Sequence, residues 1–214
     1  MMKTLTKEMQ AAITPSKALD ILKEGNKRFV NNLKINRNLL QQVNETSDGQ
    51  NPFAVILSCI DSRTSVELIF DQGLGDVFSA RIAGNIVNDD ILGSMEFACK
   101  VAGAKVVVVL GHTKCGAIKG ACDGVEMGNL TTLLSKIKPS VEAEKTTIEN
   151  RNSSNAAFVE NVAVINVKST VELIKAKSPI LNEMIEKGEI GIVGGTHNIT
   201  TGEVVFYNDT LIAN

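Results

Sequence analysis

Val106-Val107-Val108-Val109-Leu110-Gly111-His112-Thr113-Lys114-Cys115 changes character in midstream. Val106 to Leu110 is apolar at every position and rich in β-branched residues, the pattern of a strand covered on both faces. Gly111 ends the run, and His112 and Cys115 follow on one tight turn. Upstream, Phe53-Ala54-Val55-Ile56-Leu57 repeats the pattern, and Cys59 comes just after it. Asp76-Val77-Phe78-Ser79-Ala80 is another strand, with Arg81 at its end.

Helical segments alternate with these strands. Thr14-Pro15 opens the first clear helix, with Thr as the cap and Pro at the first helical position. Ala18, Leu19, Leu22, Phe29, Val30 and Leu33 give it an apolar face, and Gly25 weakens its middle. Residues before Thr14 are either a frayed arm or a helix that needs a partner surface. Residues 34–52 are polar and turn-rich. Ser65 to Phe70 reads as a short helix, and Asn88 caps a longer one over 89–101, ended by Gly103. Helices cover roughly 116–187, broken at Gly124, Gly128 and Pro139, with 156–176 as one long helix. Ile190 to Gly194 is a fourth strand. Glu203 to Tyr207 is a fifth, near enough in sequence to pair antiparallel with it. The fold class is therefore α/β, a mostly parallel central sheet of about four strands plus an antiparallel edge strand, flanked by helices. No internal repeat or boundary divides residues 1–214, so they read as one domain.

Composition narrows the function. A net charge of −2 and a pI near 5.8 give no electrostatic reason to expect nucleic acid or an anionic membrane as a partner. Trp is absent and Tyr occurs once, so no platform for stacking bases exists. No stretch approaches the roughly 18 apolar residues that span a bilayer. Met1 to Glu8 lacks the apolar core of a signal peptide, so the expected location is cytoplasmic, where thiols stay reduced. Cys99 lies among Met95, Phe97, Ala98, Val101 and Ala102 and reads as core packing, while nothing assigns Cys122.

Cys59, His112 and Cys115 make a three-donor set for zinc, since thiolates are soft ligands. In open α/β sheets ligands bind beyond the carboxyl ends of strands, which is where all three fall. Three protein ligands leave a fourth tetrahedral position for water or substrate, as metal-assisted hydration or hydrolysis requires. Asp61 either closes the site as a fourth ligand or pairs with Arg63, whose guanidinium fork suits a carboxylate. Gly111, Gly116 and Gly120 frame the second ligand pair and permit close backbone approach.

Ser58-Cys59-Ile60-Asp61-Ser62-Arg63, Arg81 with Asn85, and Gly111-His112-Thr113-Lys114-Cys115-Gly116-Ala117-Ile118 together resemble the beta-class carbonic anhydrases, over roughly 15–210. The resemblance implies reversible hydration of carbon dioxide to bicarbonate and a proton by zinc-bound hydroxide, with Zn2+ on Cys59, His112 and Cys115. It implies that Asp61 binds zinc in a closed form and swings to Arg63 in an open one. It also implies a homodimer or homotetramer, with residues 1–33 as a helical arm embracing the neighbour. Substrate-pocket positions carry over to Gln50, contributed by the partner, and to Phe78, Phe97 and Gly116; Phe78 and Phe97 read equally well as core. Where some members bind regulatory bicarbonate through a tryptophan, an arginine and a tyrosine, Ile56, Arg81 and His197 stand, so that regulation is expected to be weak or absent. His197, placed in a loop after the fourth strand, is either a proton shuttle or a histidine hydrogen-bonded in a turn. Two alternatives are a carbonyl sulfide or carbon disulfide hydrolase on the same scaffold, and a zinc protein without turnover.

Overall fold

The computed structural model describes residues 4–212. Five strands form one sheet in the order β2-β1-β3-β4-β5: β1 Ala54–Ser58, β2 Val77–Arg81, β3 Val106–His112, β4 Gly191–His197 and β5 Val204–Phe206. The first four are mutually parallel and β5 pairs antiparallel with β4, as the sequence pattern requires. β1 and β3 are buried at every residue, which explains their unbroken apolar runs. The edge strands β2 and β5 are half-buried.

Three helices precede the sheet: α1 Lys7–Ala11, α2 Pro15–Val30 and α3 Leu39–Glu45. α1 is anchored to its own chain by Gln10, whose amide donates to the carbonyls of Pro52 (2.7 Å) and Ala102 (2.8 Å). The first three residues of the expected arm lie outside the described residues. Thr14 caps α2 by accepting from the Lys17 amide, as its sequence predicts. Gly25 has a tertiary reason to be there: a Cβ on it would stand 1.8 Å from the Phe70 carbonyl oxygen, so only glycine lets α2 lie this close. α3 falls inside the segment read as turns. Asn38 caps it, and the buried Gln42 accepts from the Leu74 amide, so a tertiary contact holds a helix with little apolar face of its own.

α4 Val66–Ile69 follows β1, and α5 Asp89–Glu96 follows β2 with the expected Asn88 cap. The expected single helix over 89–101 instead widens into a π-turn at Phe97–Val101. α6 Gly116–Cys122, α7 Gly128–Ser135 and α8 Lys138–Ala143 follow β3; Pro139 opens α8 rather than breaking a helix. α9 Ala156–Lys177 is the long helix, and α10 Pro179–Glu186 leads into β4.

One apolar cluster sits between the sheet and α5, α9 and α10, built on Val55, Leu57, Val107, Val109, Val167 and Ile174. A second covers the opposite face with Leu19, Leu22, Ile56, Phe70, Val108 and Leu110. A third lies beyond the carboxyl ends of the strands, where Ile118, Ile137, Phe158 and Val162 surround Cys59 and Cys115. Burial at about 25 cal/mol per Å² of apolar surface makes these clusters the main stabilising term.

The sequence reading ends the fourth strand at Gly194, but β4 continues to His197. It pairs with β3 along its whole length, His112 opposite His197, and β5 pairs on its other side from Gly195. Glycine and threonine are weak local strand formers, and two flanking strands override that preference.

Candidate metal centre

The sulfurs of Cys59 and Cys115 and a ring nitrogen of His112 lie within 4.8 Å of one another, and all three residues are buried. β1 delivers Cys59, β3 ends on His112, and Cys115 is the N-cap of α6. The two sulfurs are 4.0 Å apart. Tetrahedral zinc with Zn–S near 2.3 Å separates two thiolates by about 3.8 Å, so the pair is spaced for one ion.

His112 has one ring nitrogen assigned and one orphaned. Nδ1 lies 3.0 Å from the Thr113 carbonyl oxygen, to which it donates in the tautomer that leaves Nε2 free. Nε2 is buried with no hydrogen-bond partner, an expense that a ligand position explains. The cysteines behave as a proton-sharing pair. The hydrogen bond with Cys115 lowers the Cys59 thiol, with burial opposing and the His112 ring and the Gly84 amide assisting. Cys115 is held up by that same hydrogen bond and by burial. Burial lowers the His112 imidazole, but the nearby Cys59 sulfur and the Asp61 charge outweigh this and raise it. Groups that hold protons against one another are the groups a cation displaces them from.

Beside the cluster, Asp61 Oδ1 accepts from Arg63 Nε (2.9 Å) and Oδ2 from Arg63 Nη2 (2.8 Å). The Arg63 guanidinium holds the Asp61 carboxyl well below the usual carboxylate range. Of the two states left open by sequence, this is the one paired with Arg63. Arg81 fixes the same loop, donating from Nε to the Cys59 carbonyl (3.1 Å) and from Nη2 to the Asp61 carbonyl.

Gly84 gives Cys59 a donor that the sequence did not announce. Its amide lies 3.4 Å from Sγ, and its φ is +69°, which an L side chain rarely adopts. The Ala-Gly-Asn turn after β2 was the available signal. At Cys115, the amides of Ala117 and Ile118 at the start of α6 favour the thiolate, a little further along than Gly116.

A cavity of about 280 Å³ opens on the cluster, lined by Cys59, Asp61, Ala83, Gly116, Ala117 and Leu134 among others. Gly116, expected at the substrate pocket, lines this cavity. Phe78 and Phe97 touch edge to face, 6.2 Å between ring centres, but line a different cavity with Val55, Asp90 and Ile91. Gln50 is exposed and lines a third, with Val43 and Leu74. Within one chain, these three residues are not brought to the cluster. His197 lies in a strand rather than a loop turn, 3 % exposed, its Nδ1 without a partner, and burial pushes its imidazole down to about 4. Cys99 is core as expected, its thiol pushed up to about 12 by burial. Cys122 is half-buried at the end of α6.

A soft three-donor cluster that could hold a metal ion, at the carboxyl ends of parallel strands and with a carboxylate–guanidinium pair against it, defines the class as an α/β protein with a candidate metal centre. The sequence model of the carbonic anhydrase family matches residues 54–204. A protein of Mycobacterium tuberculosis named carbonic anhydrase 2 is 36% identical over 194 residues, 89% of this chain and 92% of that protein. Among solved structures, a tetrameric beta-carbonic anhydrase of Sordaria macrospora superposes with a TM-score of 0.66 at 26% identity, covering 76% of this chain and 83% of that one. A carbon disulfide hydrolase of Acidithiobacillus thiooxidans is 34% identical over 86 residues, which is 37% of this chain and 40% of that protein. This chain belongs to the carbonic anhydrase family, in its beta class.

Proposed function

We propose that this chain is a zinc-dependent carbonate dehydratase, converting carbon dioxide and water reversibly to bicarbonate and a proton. The observation that carries the reading is the buried Cys59–His112–Cys115 cluster beside an Asp61 carboxylate turned away to Arg63. Cys59 Sγ, His112 Nε2 and Cys115 Sγ would hold the zinc, which when bound supplies a Lewis acid that makes water a nucleophile near neutral pH. Asp61, ionised and gripped by Arg63, accepts a hydrogen bond from the adding water and aims its lone pair at carbon. Arg81 holds the Asp61 loop in place. The cavity beside Asp61 has apolar walls in Ile60, Ala83, Ala117, Leu130 and Leu134, which suit a small linear molecule with no charge. The carbon disulfide hydrolase likeness spans much less of the chain than the carbonic anhydrase one, so carbon dioxide is the better substrate.

The same reading makes the chain one domain and a homodimer or homotetramer. The tetrameric relative supports it, as do Phe97 (53 % exposed) and Val101 (72 %), large apolar side chains that a second copy would cover. Gln50, Phe78 and Phe97 would then serve a pocket completed across the interface, with residues 1–33 as the embracing arm. No helix of the described residues is long and apolar enough to cross a membrane, which fits cytoplasmic use.

Stopped-flow hydration of carbon dioxide from about pH 6.5 to about 9, with Cys59→Ser alongside, tests the activity. Zinc-dependent hydration that the substitution abolishes is expected. One zinc per chain with no hydration at any pH would overturn it, and sedimentation at equilibrium would decide the assembly.

A further inference from the structure

α9 touches both ligand-bearing segments of the metal centre, although it carries no ligand. Near its start, the half-buried Glu160 accepts a hydrogen bond from the Lys114 amide, 2.8 Å away. Lys114 lies between His112 and Cys115 and has φ of +57°, a left-handed conformation that a lysine adopts only when its surroundings impose it. Further along, the buried Asn166 donates from Nδ2 to the Gly84 carbonyl, 2.9 Å away. The amide of that same Gly84 lies 3.4 Å from the Cys59 sulfur. Between the two contacts, Val167 lies so close to Gly111 that a Cβ there would meet its Cγ2 at 2.7 Å.

We propose that α9 is the strut that sets the spacing of the metal ligands, with Glu160 and Asn166 as positioning residues. Glu160 holds the His112–Cys115 turn in its left-handed form. Asn166 holds Gly84 from its carbonyl side, and the N–H on the other side of the Gly84 Cα, in the preceding peptide, then faces the Cys59 sulfur. One rigid helix therefore fixes the distance between a donor just past β1 and two donors around the end of β3, which local sequence alone leaves free. Partners behind a metal ligand typically change affinity by about 10- to 100-fold when removed.

This inference rests on the zinc reading, so the experiment separates the two. Zinc affinity is measured by competition with a chromophoric chelator for the unaltered chain, Glu160→Ala, Glu160→Gln and Cys115→Ser, with melting of each metal-free protein in parallel. Cobalt-substituted absorption reports the ligand geometry. Failure of the unaltered chain to bind one zinc, or undiminished binding in Cys115→Ser, refutes the zinc site itself. With that site intact, Glu160→Ala is expected to weaken zinc about tenfold and shift the cobalt bands, at little cost to metal-free melting. Glu160→Gln is expected to restore both, because its amide oxygen still accepts from Lys114. Unchanged affinity in Glu160→Ala, or an equal loss in both variants, would overturn the proposal. Asn166→Ala should also lower the affinity; since it is buried and can leave a cavity that harms folding, Asn166→Leu, which removes the donor at similar volume without a titratable group, is measured beside it. If both keep full affinity, Asn166 has no positioning role.

Discussion

Asp61 and Arg63 face each other through two nearly parallel hydrogen bonds, Oδ1 to Nε and Oδ2 to Nη2, with the Arg63 amide adding a third at 3.0 Å to Oδ1. Oδ2 also approaches the cluster, 3.9 Å from Nε2 of His112. The carboxylate is therefore within a short swing of the metal position, and Arg63 keeps it turned away. Replacing Arg63 by Ala releases it. We expect carbon dioxide hydration to fall by about 100-fold while one zinc per chain is retained, read by stopped-flow rates and metal analysis. Normal turnover in Arg63→Ala would refute the gripping role.

Removal of zinc should cost activity before it costs the fold. The sheet is covered on both faces by apolar clusters that do not include the ligands, and only the cluster around Cys59 and Cys115 depends on them. Chelation is expected to abolish hydration while far-ultraviolet circular dichroism stays close to that of the loaded protein. Coincident loss of both would mean that the metal holds the fold together.

His197 is in β4 opposite His112 and almost wholly buried, so it has no route for handing protons to bulk buffer. A shuttle would show as rates that rise with buffer in the variant but not in the parent. His197→Asn should leave the ratio of rates in concentrated and dilute buffer unchanged, whatever it does to the absolute rate. A ratio that grows in the variant would reinstate the shuttle.

Glu144 makes a pH-dependent contribution to stability. Its side chain is 1 % exposed, bonded to Arg151 Nη1 at 2.7 Å, to the Thr146 hydroxyl and to the Thr146 and Thr147 amides. The Thr146 hydroxyl is the largest influence, burial opposes it, and Arg151 helps; the carboxyl goes from 4.5 to about 2. A lowered carboxyl stabilises fully above its unfolded pKa and loses that contribution as pH falls through the folded one. Glu144→Gln should therefore unfold at lower urea at pH 7, and its deficit should shrink between pH 4.5 and about 2. A deficit that does not vary with pH would assign the effect to lost packing instead.

The sequence by itself determined the central strands and the three soft donors that the fold brings together. β1 and β3 are legible because burial on both faces demands an unbroken apolar run, a constraint written in consecutive residues. Cys59, His112 and Cys115 are legible because their chemistry is carried by residue type and because strand ends are where such sheets bind ligands. Only the tertiary structure decided the rest. It extended β4 to His197 against the local preference of Gly194, Gly195 and Thr196, because two neighbouring strands supply the hydrogen bonds. It turned Gly25 from a weak point in α2 into the place where a helix meets the Phe70 carbonyl. It kept Phe78 and Phe97 apart from the cluster within one chain, and it brought Glu160 to Lys114 and Asn166 to Gly84. Periodicity and donor chemistry are local properties of a chain, whereas these contacts join residues distant in sequence and exist only once the helices have packed on the sheet.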